Sequence, residues 1–167
     1  NVISENKDLT ITPRIFFDNR AIIQTEYRQV NKSSKSVTDF SLNKDNSNTR
    51  AHLFSSFNRK LKNTSNFEFN FQQVNGDNYL KIYDINSPLI NNKTTLNNFI
   101  RINDFKEDYQ YEISFETFED LSKVKSDRFE YIYPNFSYSK NLENYYFSNG
   151  NLNFESRGYQ KQYNTNV

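Results

Sequence analysis

The 167 residues carry 21 basic and 20 acidic side chains, interspersed to a net charge of +1, which excludes the basic footprint of a nucleic-acid binder. The absence of Cys excludes a disulfide framework or thiolate metal site within these residues, and no run of 18 apolar residues could form a transmembrane helix. Only 35% of the residues are hydrophobic, yet 17% are aromatic (16 Phe and 12 Tyr), which argues against a disordered chain.

The first predicted strand is Asp8–Phe17, where Leu9, Ile11, Pro13, Ile15 and Phe17 alternate with Thr10, Thr12 and Arg14. Successive side chains of a strand point to opposite faces, so this spacing yields one apolar and one polar face. The turn Asp18-Asn19-Arg20 leads into Ala21–Val30, where Ile23, Thr25 and Tyr27 oppose Gln24, Glu26 and Arg28. The pair reads as a tight hairpin. Ser36–Asn43 follows, with Thr38, Phe40 and Leu42 against Val37, Asp39 and Ser41. A charged, Asn-rich loop from Lys44 to Thr49 separates it from Arg50–Lys60, where the alternation weakens.

Asn66–Asn75 alternates cleanly, Phe67, Phe69 and Phe71 against Glu68, Asn70 and Gln72. Gly76–Lys93 breaks the pattern and is the longest irregular stretch, with a short helical turn expected at Tyr79–Tyr83. Thr94–Asn103 and Asp108–Glu119 form the next pair, around Asp104-Phe105-Lys106-Glu107. The second of these has the strictest alternation in the chain: Tyr109, Tyr111, Ile113, Phe115 and Thr117 interleave with Gln110, Glu112, Ser114 and Glu116. After the polar loop Asp120–Asp127, a strand runs from Arg128 to about Ser139. Asn149-Gly150 then marks a turn before the last strand, Asn151–Gln162. The expectation is all-β: about nine antiparallel strands over residues 1–167, a single partial domain with no long helix.

Two environments fit such a pattern, a sandwich whose apolar wall meets a protein core and a membrane barrel whose apolar wall meets lipid. Strands of about 9–12 residues match a tilted membrane-crossing strand and exceed the usual length of about 5–6. Gln, Glu, Asn and Arg on the opposite faces suit the wet interior of a large barrel. With neither an initiating Met nor an apolar leader, the sequence reads as an internal piece of a longer protein.

Residues for catalysis are scarce. His52 is the only histidine, no Gly-rich nucleophile turn accompanies any Ser, and three glycines cannot build a phosphate-cradling loop. His52 therefore reads as a solvated or lumen-facing strand residue. Glu112 and Glu116 share a face but lie about 13 Å apart along a strand, too far for a paired-carboxylate site, and read as lining a wet surface. Asp77 follows Gly76 without the spacing of a calcium loop. Tyr131, Tyr133, Tyr138, Tyr145 and Tyr146 suit an interfacial girdle better than a stacking platform, because Tyr favours one wet and one apolar end. The expectation is a non-enzyme with no cofactor, no metal and no nucleic-acid partner. Pro13 stands out. Proline cannot donate to a ladder, so within a regular strand it marks weakened pairing.

Asp8-Leu9-Thr10-Ile11-Thr12-Pro13-Arg14, followed by Glu26-Tyr27-Arg28, resembles the start of the barrel domain of the LPS-assembly protein family (LptD). The stretch Phe69 to Tyr79 is similar to that family's strand ending in a Val-Ser-Asp-x-x-Tyr turn, although Asn75-Gly76 departs from it. Tyr131-Ile132-Tyr133-Pro134-Asn135-Phe136-Ser137-Tyr138 resembles the segment where a proline opens an aromatic–polar strand. The resemblance implies an outer-membrane barrel of a Gram-negative cell that assembles lipopolysaccharide into the outer leaflet through a lateral gate. Pro13 matches one family gate proline; a second, with the family's cysteines and jellyroll, has no counterpart here. The implied partners are lipopolysaccharide, an LptE-like plug lipoprotein, a periplasmic LptA-like bridge protein and the barrel-assembly machinery.

In this reading Gln24, Glu26, Arg28, Glu68, Glu112 and Glu116 face the lumen. Ile23, Tyr27, Phe67, Phe69, Phe71, Tyr111, Ile113 and Phe115 face lipid. The alternatives are another outer-membrane barrel, such as a porin or TonB-dependent receptor, and a secreted β-sandwich or adhesin module.

Overall fold

The computed structural model describes residues 2–17, 20–44, 49–142 and 152–163. Ten strands run in chain order: β1 (Val2–Ser4), β2 (Lys7–Ile15), β3 (Ala21–Val30), β4 (Ser34–Lys44), β5 (Thr49–Lys60), β6 (Ser65–Val74), β7 (Thr95–Phe105), β8 (Tyr109–Asp120), β9 (Phe129–Leu142) and β10 (Leu152–Tyr163). They form one antiparallel sheet in which every strand pairs with its sequence neighbours, so spatial order equals chain order. The sheet is open, with β10 at one edge and β1 and β2 at the other.

The nine predicted strands are all present, and the tenth is the three-residue β1. It was illegible because three residues carry no measurable alternation. The expected turns at Asp18-Asn19 and Asn149-Gly150, the loop at 45–48, and Tyr145 and Tyr146 lie outside the described residues. The polar loop after β8 includes a 3-10 turn at Lys125–Asp127.

Register fixes the faces. Glu26 pairs with Thr10 and Asp39, Gln24 with Thr12 and Ser41, and Glu68 with Asn58 and Arg101. On the other side Ile23 pairs with Leu42, Phe40 with Leu53, Phe69 with Ile100, Ile102 with Ile113, and Ile113 with Phe136. Because directly opposed residues share a face, the polar set of each strand is contiguous with the next, and so is the apolar set.

Those two faces are covered in an unusual sense. Ile11, Ile23, Phe40, Leu53, Ile100, Ile113, Phe115 and Phe136 stand 38% to 58% exposed on the apolar face. Monomers in water seldom leave a contiguous apolar surface of this extent uncovered. The polar face buries Asp39, Ser41, Asn43, His52, Gln72 and Ser114. Covering it is segment 75–94, which leaves β6, forms the one-turn helix α1 (Tyr79–Ile82) and returns to β7. Four residues cannot hold a helix by local bonds alone. Burial of Tyr79 and Leu80, stabilising by about 1.5–3 kcal/mol each, fixes α1 in place. With Tyr83 and Ile85 they pack on Ile22, Phe54, Leu96 and Leu121 in the core cluster of the described residues.

β9 carries one extra residue. Ser114 and Glu116 pair with Asn135 and Ile132, and Tyr159 and Lys161 pair with the same two positions, so both neighbours meet a bulge at Tyr133-Pro134. A residue without an N–H is tolerated at such a bulge. Further along, the absence of a Cβ at Gly158 lets the Phe136 ring lie flat on β10: a Cβ there would fall 2.7 Å from Phe136 Cε1.

Candidate functional site

The outer edge of β2 is built by sequence. β1 covers β2 only at Lys7 and Asp8, and from Thr10 to Ile15 no described strand lies against it. The Phe16 amide donates to the Arg20 carbonyl and the Val30 amide to the Asn6 carbonyl, both at 2.9 Å. Hydrogen-bonded and non-bonded pairs alternate along an antiparallel ladder. Pro13, opposite Ile23, therefore belongs to a non-bonded pair, and its nitrogen faces the outer edge. The missing N–H costs the β2–β3 ladder nothing, while it removes one donor from any strand that would pair with this edge.

Behind that edge the polar face holds a continuous network. Arg14 Nη1 donates to the carbonyls of Tyr83 (2.9 Å) and Asp84 (3.3 Å), and its Nη2 to Gln24 Oε1 at 3.2 Å. Gln24 Nε2 donates to both Asp39 oxygens (3.1 and 3.0 Å) and to the Asn86 carbonyl at 3.0 Å. Asp39 lies 3.3 Å from His52 Nε2, His52 Nδ1 bonds Ser41 Oγ at 2.6 Å, and Ser41 Oγ meets the Tyr79 hydroxyl at 2.7 Å. His52 thus corrects the sequence reading: it is fully buried under α1, stacked 4.3 Å from the Phe54 ring, and not solvated.

Ser41, His52 and Asp39 stand in a row, as in a hydrolytic relay, but the arrangement lacks its chemistry. Ser41 has no exposed surface, Tyr79 and His52 occupy its oxygen, and His52 Nε2 lacks hydrogen-bond alignment with Asp39. It is a structural network. Burial holds the Tyr79 phenol above its ordinary pKa, with the Ser41 bond opposing in part. At the segment's far end, the Lys93 ammonium bonded to Asp84 holds that exposed carboxyl below the usual carboxylate range.

A second cluster gathers three of the sequence-derived candidates. Arg101 Nη2 lies 3.1 Å from Glu116 Oε1, Nη1 3.5 Å from Glu68 Oε2, and Nε 3.7 Å from Glu112 Oε1. Register brings them together. Arg101 is opposite both Glu68 and Ser114, and Glu112 and Glu116 flank Ser114 by two residues on each side. Sequence reasoning named the three acids without the cation between them, because only the register of β6, β7 and β8 places Arg101 among Glu68, Glu112 and Glu116. Gln24, Glu26 and Arg28 form the other half of the polar candidates. They line, with Thr10, Thr12, Arg14, Asp84 and Asn86, an open groove of about 390 Å³ beside the β2 edge. Glu26 and Arg28 are paired to each other.

On the apolar face, Ile23, Tyr27, Phe67, Phe69, Phe71, Tyr111, Ile113 and Phe115 share one side, as expected. Tyrosines gather toward the two ends of β8 and β9, with Phe115 and Phe136 between them. Tyr109 stacks on Tyr111 at one end, while Phe129, Tyr131 and Tyr133 form a ladder at the other, with centroids 5.5 to 6.0 Å apart. Tyr109 to the level of Phe129, opposite Glu119, spans ten residue-to-residue steps. That is roughly 34 Å of strand.

Segment 75–94 is the feature that sequence reasoning left without a role. Its signal was Tyr79, Leu80, Tyr83 and Ile85, apolar residues in a stretch without strand periodicity, and the matching Ile22 and Phe54 on otherwise polar faces. Among the described residues no group of three or more His, Cys, Asp or Glu is arranged to hold a metal ion. No protein-family model matches the chain, and no curated protein matches it.

Proposed function

We propose that these residues are the N-terminal strands of an outer-membrane β-barrel that assembles lipopolysaccharide into the outer leaflet. The Pro13 edge of β2 forms one side of its lateral gate. The observation that carries the membrane part is the inversion of the sheet. Its apolar face is uncovered across β2 to β10, while its polar face buries hydrogen-bonded groups beneath a docked segment. A soluble sandwich would bury the first face and wet the second. The tyrosines toward both ends of β8 and β9 support the same orientation, as does the roughly 34 Å of strand from Tyr109 to the level of Phe129, about 26 Å of height at the ~40° tilt of a membrane strand, against the ~25 Å band of outer-membrane barrels.

The choice of cargo rests on the resemblance of residues 8–14, 26–28, 69–79 and 131–138 to the LPS-assembly family. The outward-facing nitrogen of Pro13 gives that resemblance a physical sense, since a partner strand finds one donor fewer there. An LptE-like plug, an LptA-like bridge and the barrel-assembly machinery are then the expected partners, in the Gram-negative outer membrane. Photo-crosslinking side chains placed in the full-length protein at Thr12 and Glu26, beside the groove, test the cargo in cells. Capture of lipopolysaccharide at these positions, and not at Phe40 on the apolar face, is expected. Absence of any capture, with the chain in the membrane, would move the assignment to another outer-membrane barrel.

A further inference from the structure

We propose that the β2–β3 hairpin is the fixed side of the seam at Pro13. Segment 75–94 locks it to the rest of the sheet, so opening along this edge comes from movement of the strand that lies against it. The inference rests on the reading of the β2 edge as a seam and concerns which side of it moves.

An edge strand with a neighbour on one side only is ordinarily among the first elements to open. β2 has a second support. Arg14, next to Pro13, ties it to the Tyr83 and Asp84 carbonyls, and the hairpin tip clasps the same place. The Phe16 ring meets the Tyr83 ring edge-on at 5.8 Å, and the Arg20 guanidinium lies 5.5 Å from the Phe16 centroid and 5.3 Å from that of Tyr83. From there the segment is anchored across the sheet: Tyr79 to Ser41 on β4, the Leu89 carbonyl to Gln72 Nε2 on β6 at 2.6 Å, and Asp77 to Arg128 Nη1 at 2.8 Å. Swinging the hairpin away would stretch the Arg14 and Gln24 bonds together and uncover Tyr83. A displacement of about 1 Å already exceeds hydrogen-bonding range. The support is one-sided along the strand. It grips Arg14 to Arg20, whereas Lys7 and Asp8 pair with β1 on the outer side and with β3 on the inner.

Residue-resolved hydrogen exchange on the full-length protein in lipid bilayers tests this at the amides of Thr10, Thr12, Arg14 and Phe16, which donate toward β3. Protection is expected to rise toward Phe16. Arg14 and Phe16 should exchange within about tenfold of interior β4 amides, as members of one cooperative unit. Arg14→Gln is expected to speed exchange about tenfold to a hundredfold at β2 and at Tyr83–Asn86 together, the loss of hydrogen bonds from a charged donor. Wild-type Arg14 and Phe16 exchanging as fast as the Lys7 end would overturn the proposal without any variant. So would an Arg14→Gln protein in which the segment loosens while β2 does not. If exchange behaves as expected but Thr12 and Glu26 capture no lipopolysaccharide, the cargo reading fails and the fixed hairpin stands. The reverse result rejects the fixed hairpin alone.

Discussion

Ile113→Arg separates a lipid-facing wall from a merely exposed one. Ile113 sits four residues from Tyr109 on β8, about 10 Å of height inside the aromatic end at a ~40° tilt, close to the middle of the apolar band. Its neighbours are Ile102 on β7 and Phe136 on β9, and it is 44% exposed. At an exposed site in water such a change would move stability by no more than about 0.5 kcal/mol. At the midplane of a bilayer an Arg costs about 2–4 kcal/mol, a factor of roughly 30 to 1,000 in the folding equilibrium. The control is Ser137→Arg, one residue along β9 on the polar face and opposite Glu112, where a cation meets a carboxylate. Denaturant titration of the full-length protein folded into lipid vesicles supplies both free energies. The account expects the Ile113 variant to lose at least about 2 kcal/mol more than the Ser137 variant. Equal losses, or a loss below about 0.5 kcal/mol at Ile113, would refute the claim that this face meets lipid.

Tyr79→Ala removes the largest fully buried side chain of the described residues and is expected to cost about 3–5 kcal/mol by cavity formation, whereas Tyr79→Phe loses only the Ser41 bond, about 1 kcal/mol. The same unfolding titration reads both. Arg101→Met leaves Glu68, Glu112 and Glu116 without their shared cation. Its partly exposed pairs contribute up to about 1 kcal/mol each, so a loss of about 1–2 kcal/mol is expected that narrows in 1 M salt. Because the folded-state pKa of Asp84 is depressed by Lys93, its stabilising effect is complete above the usual carboxylate pKa and is lost as pH falls through the depressed value. Protection at Asp84–Lys93, taken relative to the intrinsic exchange rate at each pH, should therefore fall only at the acid end of a pH 7 to 3 series, and Asp84→Asn should flatten that dependence.

The strands were legible because a period of two survives in any environment. Tyr109–Thr117 alternates whether its wall meets lipid or a core, so the sequence located β8 without deciding what it faces. The weakened alternation in Arg50–Lys60 held information that was missed. His52 and Phe54 fall on the polar side of β5, where α1 covers them, so two buried, stacked rings replace the wet residues found elsewhere on that face. Nothing in the order of residues ties Tyr79 to Ser41 or Arg101 to Glu116. Those contacts come from strand register and from a segment folding back across four strands. Pro13 was legible as a weak point, but its meaning depended on ladder phase: one residue earlier or later and its nitrogen would have faced β3 and broken the hairpin.

The most direct test of the inverted sheet is cysteine labelling along β8. Single cysteines at Phe115 and Glu116, adjacent residues on opposite faces, are introduced into the full-length protein and treated in intact membranes with a water-soluble thiol reagent. The account predicts labelling at position 116, beside Arg101 on the polar face, and protection at position 115 until detergent is added. Equal labelling of the two, or labelling at 115 alone, would contradict it.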